Sequence, residues 1–275
     1  MRAARVISCL LLLLPLSAGA WNAAGHAAVA AIATPLLTPQ AAAQVRQLLA
    51  DDLDRHGRPS RRTQLVEIAS WADEIRDEAV KTDPAAFRGW HVRRNPVCSE
   101  ALGACPDGHC VDQLLISQTA ILADRTQSPR ARNEALKWVV HLLGDLHMPL
   151  HAGVNSNGGN ARVELAGYAR PGRLSLHEAW DGPLLDAALA GWERVPGAAA
   201  PVPLTPDAPT QWMRETRALA LEAVYRPLPG FACEARLAEP IRLDQAYREA
   251  SVAVIRQQLE RAGQRLAAVL NQSLR

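Results

Sequence analysis

The chain reads as all-α, a single mostly helical domain, on three observations. Ala, Leu, Arg, Gln and Glu, all strong helix formers, dominate it. Aromatic residues make up 4% of the chain and β-branched runs are scarce, so a large sheet has little to build on. Apolar periodicity then marks helices over residues 21–33, 39–50, 62–76, 112–123, 128–144, 175–190, 209–225 and 246–270.

The helices at 39 and 128 open on Thr38-Pro39 and Ser128-Pro129, a capping hydroxyl followed by a proline that needs no partner for its missing N–H. Pro149 is expected to stop the central helix near His147 or Met148, with His151 turning back from the following loop. The stretch 196–206 holds four prolines. It reads as a surface loop, because a helix pair and Cys233 alone follow it, too little for a second domain. Segments 89–111 and 148–173 are long loops, which in compact proteins often carry function.

Residues 1–20 carry Arg2 and Arg5, an apolar run over 6–16, and Ala18-Gly19-Ala20. That is the order of a secretory signal peptide, and the run is too short for the roughly 20 residues a bilayer requires. Cleavage after Ala20 would leave residues 21–275 as the working domain, secreted or periplasmic, with no membrane span. It would also remove two arginines and balance the chain at 28 basic and 28 acidic residues. A neutral chain does not hold a long polyanion by bulk charge, so any nucleic-acid recognition has to be local. Cys98, Cys105, Cys110 and Cys233 remain, an even number for an oxidising compartment, with three possible pairings. Their spacing fits no standard cysteine zinc site.

The strongest local signal is the run from His141 through Asp145 and His147 to His151. Four residues apart on a helix, His141 and Asp145 share one face and can reach one site. His177 and Asp181 repeat that spacing, and imidazole nitrogen with carboxylate oxygen suits zinc. Either pair alone is commonly a hydrogen-bonded helix face. Two pairs with His151 point to metal. His26, Asp73 and His91 are individually bland, as are His56, His109 and His147, which read as loop or neighbouring residues.

Taken in order, Trp21, His26, Asp73, His91, His141, Asp145, His151, His177 and Asp181 resemble the single-strand-specific zinc nucleases of the S-one and P-one type, within the zinc phospholipase C and nuclease superfamily. The likeness runs through Trp-x4-His, His-x3-Asp-x5-His and His-x2-Trp-Asp. It implies a helical domain of the phospholipase C and nuclease type with a trinuclear zinc cleft. One zinc would take Asp73, His91, His141 and Asp145; a second the amino and carbonyl groups of Trp21 with His26 and a bridging Asp145; a third His151, His177 and Asp181. It also implies disulfides Cys105–Cys110 and Cys98–Cys233, and hydrolysis of single-stranded DNA and RNA to 5′-phosphorylated products, with 3′-nucleotides as further substrates.

Three zinc ions against three aspartates would leave about +3 of local charge, a phosphate trap in a neutral protein. Asp73 is the carboxylate assigned to orient the attacking water. After His91 the chain departs from the family pattern and reads Val92-Arg93-Arg94-Asn95-Pro96, so Arg93, Arg94 and Asn95 are candidates for positioning phosphate. Asn160, in the glycine turn Gly158-Gly159-Asn160, joins them as a candidate substrate contact. Asn155-Ser156-Asn157 stands where an acidic residue is more usual. Two other classes stay open: a zinc-dependent phospholipase C, against which His26 lies close behind Trp21 and the last acidic ligand is Asp181, and a non-catalytic zinc-binding protein, against which three ligands on the third metal leave coordination open.

Overall fold

The computed structural model describes residues 21–168, 174–193, 202 and 204–275; the leader at 1–20, most of the proline loop and the end of the 148–173 loop lie outside the described residues. Helix α1 (Ala23–Ala33) starts at Asn22, whose side chain accepts from the Ala24 and Gly25 amides. Helix α2 (Pro39–Leu49) starts at Thr38, capped by its hydroxyl with Pro39 in the first turn. The helix expected over 62–76 is two pieces, α3 (Leu65–Ile68) and α4 (Trp71–Ala79), because Ser70 leaves helical backbone at φ −99° and ψ 5°. Helix α5 (Val111–Ala123) and helix α6 (Pro129–Leu146) follow and pack on each other.

α6 is the axis of the fold. From Ala135 to Leu146 every residue is buried, the pattern of a helix surrounded on all sides. Pro149 does stop it, yet serves as the first residue of a further turn, α7 (Pro149–Ala152), so His151 sits on a short helix where a loop was expected. The segment expected as one helix over 175–190 is α8 (Leu176–Ala179), a wider π turn at Trp180–Leu184 containing Pro183, and α9 (Leu185–Leu189). Helix α10 (Ala208–Leu219) also ends in a π turn, at Ala220–Tyr225, and α11 (Gln245–Ser273) closes the chain. α1 and α11 cross closely at Gly263, where an added Cβ would lie 2.3 Å from Ile32.

Strands are few and short. β1 (Asn95–Pro96) pairs in parallel with β2 (Gly153–Val154), joining the two long loops. β3 (Arg162–Leu165) lies between β4 (Leu174–Ser175) and β5 (Ile241–Leu243). Disulfides Cys98–Cys233 and Cys105–Cys110 are present, and the first ties the loop after His91 to a segment 135 residues away.

One buried ion pair anchors α6 to the segment after α2. Lys137, fully buried, places Nζ 2.8 Å from Asp52 and 3.0 Å from the Leu53 carbonyl, 4.1 Å from the centre of the Trp71 ring. Removing one partner of such a pair strands the other charge out of water, which costs far more than the pair itself contributes. Asp52→Ala is expected to lower stability by about 3 kcal/mol, whereas Asp52→Leu combined with Lys137→Met should cost much less. Denaturant unfolding of the two variants checks the difference.

Candidate metal centre

Asp145 lies at the centre, fully buried in the last turn of α6. One of its oxygens, Oδ2, is 3.0 Å from His91 Nδ1 and 3.2 Å from His141 Nε2; the other, Oδ1, is 3.6 Å from His26 Nε2 and 3.5 Å from His151 Nδ1. The two lone-pair faces of one carboxylate therefore look into two neighbouring groups. Asp73, on the first turn of α4, brings Oδ1 to 3.7 Å from both His91 and His141.

Three sets of ligand atoms converge, each within 4.8 Å of one another: His26, His141 and Asp145; Asp73, His91 and His141; and His151, His177 and Asp181. His26 reaches the first from α1 and stacks on His141 with ring centres 3.9 Å apart. His177 comes from α8 and Asp181 from the π turn. Their Nδ1 and Oδ2 atoms approach to 2.5 Å, and the His177 ring stacks on His151 at 5.1 Å. Trp21 precedes α1, buried, with its indole N–H donating 3.0 Å to the Gly144 carbonyl.

Polar atoms left without partners point the same way. Among the described residues, buried side-chain atoms lacking a hydrogen bond include both ring nitrogens of His26, Nε2 of His91, and one oxygen each of Asp73, Asp145 and Asp181. Such atoms are costly in a folded interior, and their gathering in one place calls for an occupant. Nitrogen and carboxylate oxygen are the donors zinc takes, so the residues fit that ion. Outer contacts are also of the kind that orient ligands: His141 Nδ1 donates to the Ala69 carbonyl at 2.8 Å and His151 Nδ1 to the His91 carbonyl at 2.9 Å, leaving Nε2 of each facing inward.

Electrostatics differ from one donor to the next. Burial, with help from His141, holds His26 well below the usual imidazole range, and burial takes His151 to about 3, so both rings are neutral at neutral pH. Burial works against a charge on Asp145, but His141 and His91 outweigh it and keep the carboxyl well below the usual range. His141 is lifted to about 9, burial being overcome by Asp145 and Asp73. Burial raises Asp181 to about 6, against the pull of His177.

The remaining candidates separate by exposure. Arg93 is committed to the scaffold, donating to the Gly103 carbonyl and to Asp112 at 2.7 Å. Asn95 is fully buried, with its amide bonded to the Ala152 carbonyl and the Gly103 N–H. Both brace the loop that follows His91. Arg94 and Asn160 are exposed. Asn155 and Asn157 hold the carbonyls of Ala235 and Leu237, which accounts for amides where an acid was anticipated. His147 is taken up by the Leu143 carbonyl and Arg265.

Arg76 was not singled out from the sequence. Its guanidinium lies 2.8 Å from Asp73, and both side chains keep 16% exposure, so together they form one open edge of the cluster, His177 being open to a similar degree at 18%. The signal available was the three-residue spacing from Asp73 on one helix face.

A helical core that gathers eight histidine and aspartate side chains into three sets of donors, two of them sharing His141, defines a protein whose interior could hold metal. Comparison with known families gives the particular one. The S1/P1 nuclease family model matches residues 21–275, and the chain belongs to that family. It is 30% identical over 165 residues to nuclease P1 of Penicillium citrinum, a match covering 58% of this chain and 57% of that protein. It is 29% identical over 180 residues to nuclease S1 of Aspergillus oryzae, covering 62% and 57%. Endonuclease 2 of Arabidopsis thaliana aligns over 274 residues at 26% identity, covering 91% of this chain and 89% of the plant protein. The chain thus spans a little over half the length of the fungal nucleases it matches. Among the described residues, no helix is long and apolar enough to cross a membrane.

Proposed function

We propose that this chain is an exported zinc-dependent phosphodiesterase that cleaves single-stranded DNA and RNA, leaves 5′-phosphorylated products and also acts on 3′-nucleotides. In this reading residues 1–20 are removed and residues 21–275 form one catalytic domain. The observation that carries it is the cluster of unpartnered, buried nitrogen and carboxylate donors around Asp145. Three zinc ions are assigned: to Asp73, His91, His141 and Asp145; to Trp21, His26 and Asp145; and to His151, His177 and Asp181. Export is supported by two disulfides, which persist in oxidising compartments.

Zinc bound there supplies positive charge and Lewis acidity for a phosphate ester. The chain's own residues do the rest at the open edge. Asp73 is assigned to accept the proton of the attacking water, and Arg76 holds that carboxylate in place while bringing a permanent positive charge to the phosphate oxygens. Burial works against that charge, but Asp73, Asp77 and Asp145 outweigh it and raise the Arg76 pKa. Water oxygen joins phosphorus, the phosphorus bond to the 3′-oxygen breaks, and that oxygen takes a proton from solvent to leave as the 3′-hydroxyl while Asp73 returns its own to solvent. Arg94 and Asn160, both exposed, are assigned to contact the strand beyond the scissile phosphate.

A substrate panel tests the reading: single-stranded DNA, RNA, duplex DNA, 3′-mononucleotides and phosphatidylcholine, each with zinc and with a chelator. Single strands should be cleaved well ahead of duplex, with loss of turnover in chelator and recovery on added zinc. Turnover of phosphatidylcholine in preference to single strands would assign a phospholipase. Zinc binding with no turnover of any ester would assign a non-catalytic binding protein.

A further inference from the structure

Asn22 does more than start α1. Its side-chain oxygen accepts from the Ala24 and Gly25 amides at 3.0 and 3.3 Å, and the nitrogen of the same amide donates to Asp186 at 3.2 Å. Its backbone N–H donates to the Asp181 carbonyl at 3.3 Å. That carbonyl is where a regular α-helix would receive the Leu185 N–H, but in the π turn the Leu185 N–H goes to Gly182 instead. One residue is therefore bonded to both ends of the segment that carries Asp181, while its neighbours Trp21 and His26 belong to the other side of the cluster. Packing reinforces the join: a Cβ on Gly25 would stand 2.7 Å from Trp21 and 2.8 Å from Leu185.

We propose that Asn22 is a positioning residue that, through Asp186 and the Asp181 carbonyl, locks the segment bearing Trp21 and His26 to the turn bearing Asp181. The zinc groups at either side of Asp145 are thereby held at one spacing, and loss of the lock weakens zinc binding. This rests on the zinc reading above. The amide at position 22 matters because it accepts and donates at once. Aspartate caps a helix as well as asparagine does, but it cannot donate to Asp186 and would set two like charges together.

The test is zinc competition against a chromogenic chelator, using the exported and processed chain and its Asn22→Asp, Asp186→Ala and Asn22→Asp with Asp186→Asn variants. Asn22→Asp should bind its weakest zinc about tenfold less tightly, the scale on which outer partners act on a metal site. Asp186→Ala, a change at an exposed position that leaves the cap intact, should also weaken that zinc several-fold. The reversed pair, in which the new amide at 186 donates to the new carboxylate at 22, should recover to within about threefold of the native affinity. Zinc held equally tightly by Asn22→Asp overturns the lock, as does tighter binding, which added negative charge alone would give. A reversed pair no better than Asn22→Asp overturns it too. Failure of the zinc reading looks different, since the native chain itself would then take up no zinc.

Discussion

Replacing Asp145 by alanine is expected to reduce turnover by well over about a hundredfold, beyond the 10–100-fold that loss of an outer partner costs. No other side chain in the cluster faces as many donors: His91, His141, His26 and His151 all lie within 3.6 Å of one or other of its oxygens. Losing it removes the carboxylate assigned to two zinc ions and leaves His26 and His151 without the oxygen they face, while His91 and His141 keep only the more distant Asp73. At least one zinc should be lost, measured by metal analysis of the purified variant, with turnover measured on a single-stranded oligonucleotide. Near-normal zinc content and activity in Asp145→Ala would remove the shared-ligand assignment, whatever the other residues do. Asp145→Asn is the sharper companion, since it keeps the shape and one oxygen while discarding the charge.

Gly144→Ala sets helix propensity against the site. In the interior of α6 alanine favours the helix over glycine by about 1 kcal/mol, so the change would stabilise an ordinary helix. Here the new Cβ would stand 2.7 Å from Nδ1 and 3.0 Å from Cε1 of His26, a fully buried ring with the His141 ring stacked 3.9 Å away. The ring has to move, and the Trp21 indole bonded to the Gly144 carbonyl moves with α1. Expected is a loss of at least about tenfold in affinity for one zinc, and of activity with it. Circular dichroism should still show a folded helical protein. Equal zinc affinity in native and Gly144→Ala proteins would show that His26 does not need its present position.

The legible part of this protein was whatever depends on neighbours in sequence. Helical composition and apolar period announced an all-α fold, and the proline after a capping hydroxyl placed the starts of α2 and α6 correctly. Spacing of four put His141 with Asp145, and His177 with Asp181, on common faces. The second pair meets at the start of a π turn that periodicity did not reveal. The break at Ser70 was not legible in the periodicity, and the extra turn at Pro149 starts on a proline at its first position, a helix start where a stop was expected.

By itself, then, the sequence determined the helices, the inventory of donors and, through their order, the family resemblance. Only the tertiary structure decided which donors meet. Trp21 and Gly144 touch across 123 residues, and His26 lies against His141 because α1 packs on α6, a contact no periodicity encodes. The same is true of what the polar residues near the site are for. Arg93 and Asn95 read in the sequence as candidates for phosphate, and only the fold shows the partners they have in Asp112, Gly103 and Ala152. Arg76, six residues after the break at Ser70 and bonded to Asp73 and Asp77, keeps part of its side chain exposed. A residue's chemistry is written in its side chain, but its availability is set by which distant backbone and side-chain groups the folded core brings against it.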